Sequence, residues 1–451
     1  MGWFTRNLQK YLGQALNKYY INSFTQIGDI NASFDFDKTW AIETAYSKNP
    51  DVFAIVNQIS SKTAQVPCYL KKIENEKALS KYNLNRKNIT LDHLRYKNKA
   101  FAEDYLQFPL EQPNPIYHWK HFIQLYSTYL NTTGDVFIYR HVNDIDEVQG
   151  YYVLPSNFMR IYIKGNNYQF SNESPVAGYE MQISTGVSIP FSAKEVIHIK
   201  TPNPVWDTNG SQLYGFSPLK AAYYNTENVI QANKHLYKMF KSSGAFGFIF
   251  SKGESLDETQ AQQFKDRILE MDASKDRLAK IAGIGTEIGF QRIALSNKDM
   301  EPWNALSYDR KTICNVLGWS DVLLNTEGSA KLGGDEMGQV RKRVLVDTII
   351  PQLELLEEAL TKEFIQFKGY ENTQLMFDIT EMPEVQEDIN KVIEWASKSP
   401  ISVNEIRALI KYEPYESDVA DKPLIKAGYM TIDELEARGF EIPIDNERGA
   451  S

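Results

Sequence analysis

The 451 residues contain only two cysteines, Cys68 and Cys314, and these stand far apart. Such usage supports neither a disulfide framework nor a thiolate metal cluster, and points to a reduced intracellular compartment. Histidine is scarce as well, with six copies. His118 and His121 lie three apart on a helical pattern, but no carboxylate or third ligand joins them at a metal-binding spacing, so no metal is expected. His141 and His198 alternate with apolar residues and read as ordinary side chains on a sheet face. No apolar run approaches the roughly 18–20 residues that cross a bilayer. The opening MGWFTRNLQKYLGQALNKYY lacks the apolar core and small-residue cleavage site of a signal peptide, and Arg6 stands where a myristoylation signal has Ser or Thr.

Recognisable catalytic chemistry is also missing. GIGTEIG at 283–289 and the glycines around Lys331 suggest phosphate loops. Neither matches G-x-x-x-x-G-K-[ST], and the first also misses the spacing of G-x-G-x-x-G. There is no G-x-S-x-G elbow, and the carboxylates show no pairing beyond that of solvated helix faces. No enzyme activity and no cofactor are expected. An excess of positive charge is absent too: 58 acidic against 49 basic residues give a net charge of -9. A surface built to coat nucleic acid is thereby excluded, and any DNA contact should be local.

What the chain does have is a normal globular composition, 42% hydrophobic and 24% charged, and length for two or three domains. DVFAIVNQISSKTAQVPCYLKK places Val52, Ile55, Val56 and Ile59 on one helical face and turns at Pro67 into a strand. Residues 71–100 read as a charged, irregular surface insertion. PNPIYHWKHFIQLYSTYLNTTGDVFIYRHV predicts a turn, an aromatic helix through Trp119, Phe122, Ile123, Tyr126 and Leu130, and a strand through Val136, Ile138 and His141. With further strands at YYVLP, MRIYIK, YQF and VIHIKT, residues 46–205 read as an α+β domain.

A long helix follows, capped by Ser217, begun by Pro218 and ended by Gly244, about 40 Å in length. Leu219, Ala222, Tyr223, Val229, Ile230, Leu236, Tyr237 and Phe240 form its broad contact face. Residues 245–295 read as a compact α/β insertion with a strand AFGFIF, carrying Phe246, Phe248 and Phe250, and a helix carrying Phe264 and Ile268. A second helix runs through Trp303, Leu306, Arg310, Ile313 and Leu317 to a stop at Gly318. Beyond a soft stretch, NTEGSAKLGG, a third helix extends from about Asp335 to Phe367, with a kink expected at Pro351. ISVNEIRALI and YMTIDELEARG are two short helix starts near the end.

Together, NPDVFAIVNQISSKTAQVP, PNP at 113–115, NTTGDVFIYR, LP at 154–155, EVIHIK, YGFSPL, the block from ICNVLGWSDVLLN to RVLVDTIIPQLELLEEAL, and ISVNEIRALI resemble the HK97-like portal family of tailed bacteriophages, over about 46–410. The order of these stretches carries the likeness more than any single one. The polar insert and the aromatic N-terminus depart from the pattern.

The resemblance implies an α+β protomer with an α/β wing, a long helical stem, a small clip and a kinked long helix, assembling as a ring. Residues 1–45 would be an arm, 46–216 the wing, 217–243 and 297–318 the stem helices, 244–296 the clip, 319–336 a tunnel loop, 337–369 the long wing helix and 370–451 a small crown. It further implies a ring of twelve at one capsid vertex through which double-stranded DNA is packaged and ejected. Terminase large subunit, a head-completion adaptor, and major capsid and scaffold proteins would be its partners. The protein would reside in the virion, after assembly in the host cytoplasm.

On that reading Asn325, Thr326, Glu327, Ser329 and Lys331 meet the DNA, the contact face of the long helix meets neighbouring stems, and the clip aromatics dock motor and adaptor. Twelve copies at -9 each carry -108, a charge that lets DNA slide instead of adhering. The alternative is a peripheral membrane or scaffold protein using the amphipathic pattern of Trp3, Phe4, Leu8, Leu12 and Leu16.

Overall fold

A computed structural model describes residues 30–31, 37–84, 91–105, 112–143, 148–163, 174–184, 187–205, 210–241, 247–251, 288–292, 302–324, 334–365, 371–385, 401–409, 415–417, 420–425 and 430–431, with single residues at 259, 262 and 394. The amphipathic stretch at 1–20 lies outside them.

After a two-residue strand β1 (Ile30–Asn31) and a π-wound helix α1 (Trp40–Tyr46), helix α2 (Pro50–Thr63) begins where its sequence dictates. The Asn49 side chain accepts hydrogen bonds from the amides of Asp51 and Val52, and Pro50 fills the first turn, where no amide is needed. Val52, Ile55, Val56 and Ile59 are fully buried, as their spacing predicts. Strand β2 (Cys68–Ile73) follows the Pro67 turn.

The insert at 71–100 is not irregular. It forms helices α3 (Glu76–Leu84) and α4 (Leu91–Ala100), followed by strand β3 (Phe101–Tyr105). Ala78, Tyr82, Ala100 and Phe101 build a small core of their own with Met376. Lys97 secures it to the body through a buried 2.5 Å ion pair with Asp378.

In PNP the Asn114 side chain accepts from the amides of Ile116 and Tyr117, which sets the turn into helix α5 (Trp119–Thr133). Gly134 ends that helix at φ +77, with the Phe216 carbonyl where a Cβ would stand. Strands β4 (Asp135–Val142), β5 (Val148–Leu154), β6 (Met159–Ile163), β7 (Val176–Ser184), β8 (Val187–Ser192) and β9 (Val196–Lys200) form two antiparallel sheets, ordered β5-β4-β9 and β1-β6-β7-β8. The β7-β8 pair was not expected, and YQF lies outside the described residues.

The long rod is divided. Helix α6 (Pro218–Ala221) breaks at Ala222, and α7 (Tyr223–Lys241) continues. Ser217 does not cap it; its hydroxyl donates instead to the Thr132 carbonyl at 2.6 Å and ties the rod to the end of α5. Strands β10 (Gly247–Ser251) and β11 (Ile288–Arg292) pair antiparallel.

Helix α8 (Pro302–Val316) comes next, then α9 (Gly334–Val344), a π-turn (Leu345–Ile349) and α10 (Ile350–Phe364). The predicted interruption therefore precedes Pro351. A proline at 351 has no amide for the Asp347 carbonyl, and a wider turn absorbs the loss.

Strand β12 (Thr373–Phe377) pairs with β2 in a sheet ordered β12-β2-β3, so residues 373–385 belong to the body. Helix α11 (Val403–Leu409) begins with a reciprocal box between Ser402 and Glu405. Of YMTIDELEARG, only Met430–Thr431 is described, as strand β14 paired with β13 (Leu424–Ile425); the helix expected to start there lies outside the described residues. One large core joins α2, α5, β4, the root of α7, α8, the π-turn, α10 and β12.

Candidate functional site

Helices α7 and α8 pack together and leave the body from a hydrogen-bonded root. Asn225 on α7 donates to Asp309 on α8 at 2.7 Å. The Asn49 amide, besides capping α2, donates to the Thr226 carbonyl. The Trp40 indole donates to Glu227 at 2.7 Å and lies 4.6 Å from the Tyr223 ring. From α8, Arg310 reaches Asp51 at 2.8 Å. Three of these contacts tie the helix pair to α1 and to the start of α2.

This root divides the predicted contact face. Leu219, Ala222, Val229 and Ile230 are consumed by the chain's own core, Leu236 is half-buried, and Tyr237 is exposed. Phe240 lies in α7, but its side chain is outside the described set. Sequence spacing did not single out Tyr224 or Tyr308, yet they are 80% and 69% exposed, as is Tyr237 at 66%.

At its far end α8 closes in a Schellman motif. The Trp319 amide bonds the Cys314 carbonyl and the Gly318 amide that of Asn315. Gly318 has φ +67, and a Cβ there would come within 2.5 Å of the Thr348 hydroxyl. That hydroxyl donates to the Gly318 carbonyl, so the π-turn grips the end of α8. Burial, with Asp321 and Asp51 adding to it and Arg310 opposing, pushes the Cys314 thiol up to about 12, which keeps it an inert thiol.

The chain continues through one short turn, Asp321–Leu324, and is described again from Gly334. Asn325, Thr326, Glu327, Ser329 and Lys331 lie outside the described residues. So do Phe246, Phe264 and Ile268. Phe248 and Phe250 occupy β10, opposite Gln291 and Gly289.

Sequence reasoning missed one buried cluster. Asp135 accepts from Lys38 at 2.6 Å, His198 at 2.7 Å and the Gly215 amide at 2.7 Å. His198 is therefore not an ordinary sheet residue. Burial alone would raise the Asp135 pKa, but Lys38 and His198 outweigh it and hold the carboxyl at about 2. Burial lowers His198 below the ordinary imidazole value of 6.5, more than Asp135 raises it, so the ring stays neutral at pH 7. The cluster binds the segment leading into α1, β4, β9 and the segment leading into α6. Its only sequence signal was an aspartate directly after a helix-ending glycine.

Among the described residues no three His, Cys, Asp or Glu side chains are placed to hold a metal ion, and no helix is long and apolar enough to cross a membrane. The described part of the site is a helix pair braced at its root and a helix end held by the π-turn.

The neck of an empty GTA particle computed with C6 symmetry aligns at a TM-score of 0.59 and 17% identity, over 85% of this chain and 96% of that one. The neck of a native GTA particle computed with C12 symmetry aligns at 0.58, with the same identity and coverages. An HK97 family phage portal protein from Corynebacterium diphtheriae aligns at 0.45, 11% identical, over 75% of this chain and 94% of that one. No curated protein matches. The family described as phage portal protein matches residues 50–410, and the chain belongs to it.

Proposed function

We infer that the protein is the portal of a tailed-phage-like particle, a head-tail connector that forms a DNA-conducting ring at one capsid vertex. The family match over 50–410 carries this reading. The likeness to neck structures computed with C6 and C12 symmetry supports a closed ring, for which twelve copies is the natural count. In this assignment α7 and α8 are the stem, β10 and β11 belong to the clip, and 325–333 is the core of the tunnel loop. Because 373–385 is woven into the body, the crown begins after Val385.

Double-stranded DNA is the passenger, and terminase, adaptor, capsid and scaffold proteins are the docking partners. The work is mechanical: no catalytic step is assigned. The gripped end at Gly318 fixes one base of the tunnel loop while the loop's Gly and Ser allow it to shift against moving DNA. With a net charge of -9 per chain, the assembled channel repels phosphate overall, and Lys331 provides only a weak local contact.

Native mass spectrometry of the purified chain, with negative-stain images of the same sample, tests the reading. A mass near twelve subunits with a central hole is expected. A chain that stays monomeric even with its capsid and scaffold proteins present would overturn it.

A further inference from the structure

Residues 71–100 carry nine Lys and Arg against three Asp and Glu, an excess of six positive charges. The chain as a whole has a net charge of -9, so the rest of it, -9 less +6, carries -15. The insert is a cationic island on an acidic protein. Lys97 goes into the buried pair with Asp378, while Lys77, Lys81 and Lys99 are exposed. On α3, Lys77, Lys81 and Leu84 fall at i, i+4 and i+7 on one flank, and Glu76, Ser80 and Asn83 take the other. Lys81 reaches across to α4, its Nζ 3.4 Å from the Tyr96 hydroxyl and 5.1 Å from the centre of that ring. Lys99 follows Tyr96 one turn on. The amides of Glu74 and Asn75 bond the Ala100 carbonyl, so the start of α3 abuts the end of α4 and brings Lys77 and Lys99 to one edge. Arg95 belongs to α4, with its side chain outside the described set, and Arg86 and Lys87 also lie outside the described residues. Asp92 stands near the start of α4, about two turns before Lys99.

Folding does not account for this arrangement. Lys77 lies in the first turn of α3, where the helix dipole disfavours a cation, and it repels Lys81 four residues on. Neither Lys77 nor Lys99 has an ion-pair partner among the described residues. The acidic side of α10 does not supply one: Glu354, Glu357 and Glu358 line a groove with Asn83, on the other flank of α3, where Glu357 accepts from Gln374 and Glu358 pairs with Lys362. The partner that answers such a face is a polyanion. A protein interface would want an apolar centre, and Leu84 is the one large apolar side chain exposed on the described part of the insert. A phosphate backbone asks for cations alone.

We propose that the α3–α4 hairpin is a docking face for the phosphate backbone of duplex DNA, additional to the contacts of the tunnel loop. The choice of DNA among polyanions rests on the portal reading; the cationic surface does not. The hairpin follows the end of α2, whose other end, at Asn49 and Asp51, is tied to the stem root. Three lysines per copy bind without reading sequence and release their hold as salt rises. The net charge of the chain still keeps DNA from coating it, so the contact stays local.

The test measures binding of the full chain to a fluorescein-labelled, covalently closed duplex DNA circle, which cannot thread a closed ring, by anisotropy over a salt series. Wild type is compared with the triple variant Lys77→Gln, Lys81→Gln, Lys99→Gln. A control triple, Lys48→Gln, Lys120→Gln, Lys194→Gln, removes the same charge from exposed lysines elsewhere. The hairpin triple is expected to keep the wild-type circular dichroism and to bind about a hundredfold more weakly near about 0.1 M salt. Its plot of log affinity against log salt should be shallower by about 2.7 or more, at roughly 0.9 for each lysine lost. The control should bind like the wild type.

A wild type that does not bind the circle, a hairpin triple that binds it like the wild type, or an equal loss in both triples overturns this inference and leaves the ring reading untouched. Polyglutamate that displaces the circle as well as unlabelled DNA does would assign the face to an acidic protein and overturn the DNA assignment. A wild type that stays monomeric yet binds the circle through the hairpin lysines supports this inference and counts against the ring reading. Should the hairpin triple fail to fold, the double variant Lys77→Gln, Lys99→Gln decides.

Discussion

At residue scale the structure turns on positions where a single atom decides. Gly318 is one: its φ of +67 costs an L side chain about 1–2 kcal/mol, and the Thr348 hydroxyl stands 2.5 Å from the added Cβ. Gly318→Ala should lower unfolding free energy by about 2 kcal/mol or more in urea denaturation. In the Thr348→Ala background the same change should cost less, because the obstructing side chain is gone. Additive costs would remove the steric account. His198 is a second such position. Its folded pKa lies below 6.5, so between that value and 6.5 the unfolded chain binds the extra proton. Stability is therefore full above pH 6.5 and falls as the pH drops below it. Asp135 adds a later loss, from the ordinary carboxyl value of 3.8 down to about 2. Charge from Lys38 and Lys200 opposes protonation of the ring, and Asp135 favours it. Thermal melts from pH 7.5 to 4 should show the first decline in the wild type and not in His198→Gln. Gly318 was legible as a helix stop because glycine after an apolar helix is a local signal. The Asp135 cluster was not, because its members, Lys38, Asp135, His198 and Gly215, are scattered along the chain and meet only in the fold.

At the scale of elements, legibility followed the width of the buried face. Helices α2, α5, α8 and α10 bury broad stripes and were readable from spacing alone. Helices α3 and α4 were read as irregular because they bury little. On α3 only Ala78 and Tyr82 are buried, Leu79 packs half-buried beside them, and the rest of EKALSKYNL is exposed. Two polar helices are stable there because they share Tyr82 and Phe101, whose rings meet edge to face at 5.6 Å, and because Lys97 pairs with Asp378. Tyr82→Ala should accordingly cost about 3 kcal/mol. Hydrogen exchange should speed up over 76–100 while α2 and α5 keep their protection. Equal acceleration everywhere would mean that the insert is not a separate packing unit. The π-turn shows a different limit: proline announces an interruption, but the sequence does not say on which side the helix yields. Here the body requires Thr348 at the end of α8, so the turn widens before Pro351.

For the whole molecule, the exposed tyrosines of α7 and α8 are where folding and assembly separate. Residues that a sequence stripe groups together are divided by the structure into those spent on the protomer and those still available. Val229 and Ile230 are 2% and 3% exposed, and their truncation would damage the chain itself. Tyr224 and Tyr308, at 80% and 69%, have little to lose in the monomer. Large aromatics left on a surface are the residue class that dominates binding energy once covered, about 2 kcal/mol or more at a central position. In a closed ring each copy contributes one such contact per interface, and a loss of that size moves the assembly concentration by roughly thirtyfold. Tyr224→Ala and Tyr308→Ala should therefore leave the thermal midpoint of the dilute chain unchanged and shift ring formation to higher concentration, read by native mass spectrometry across a dilution series. Val229→Ala should do the reverse, lowering the midpoint first. If the tyrosine variants assemble like the wild type, the neighbouring stems meet elsewhere, and the exposed tyrosines face the channel or the solvent instead.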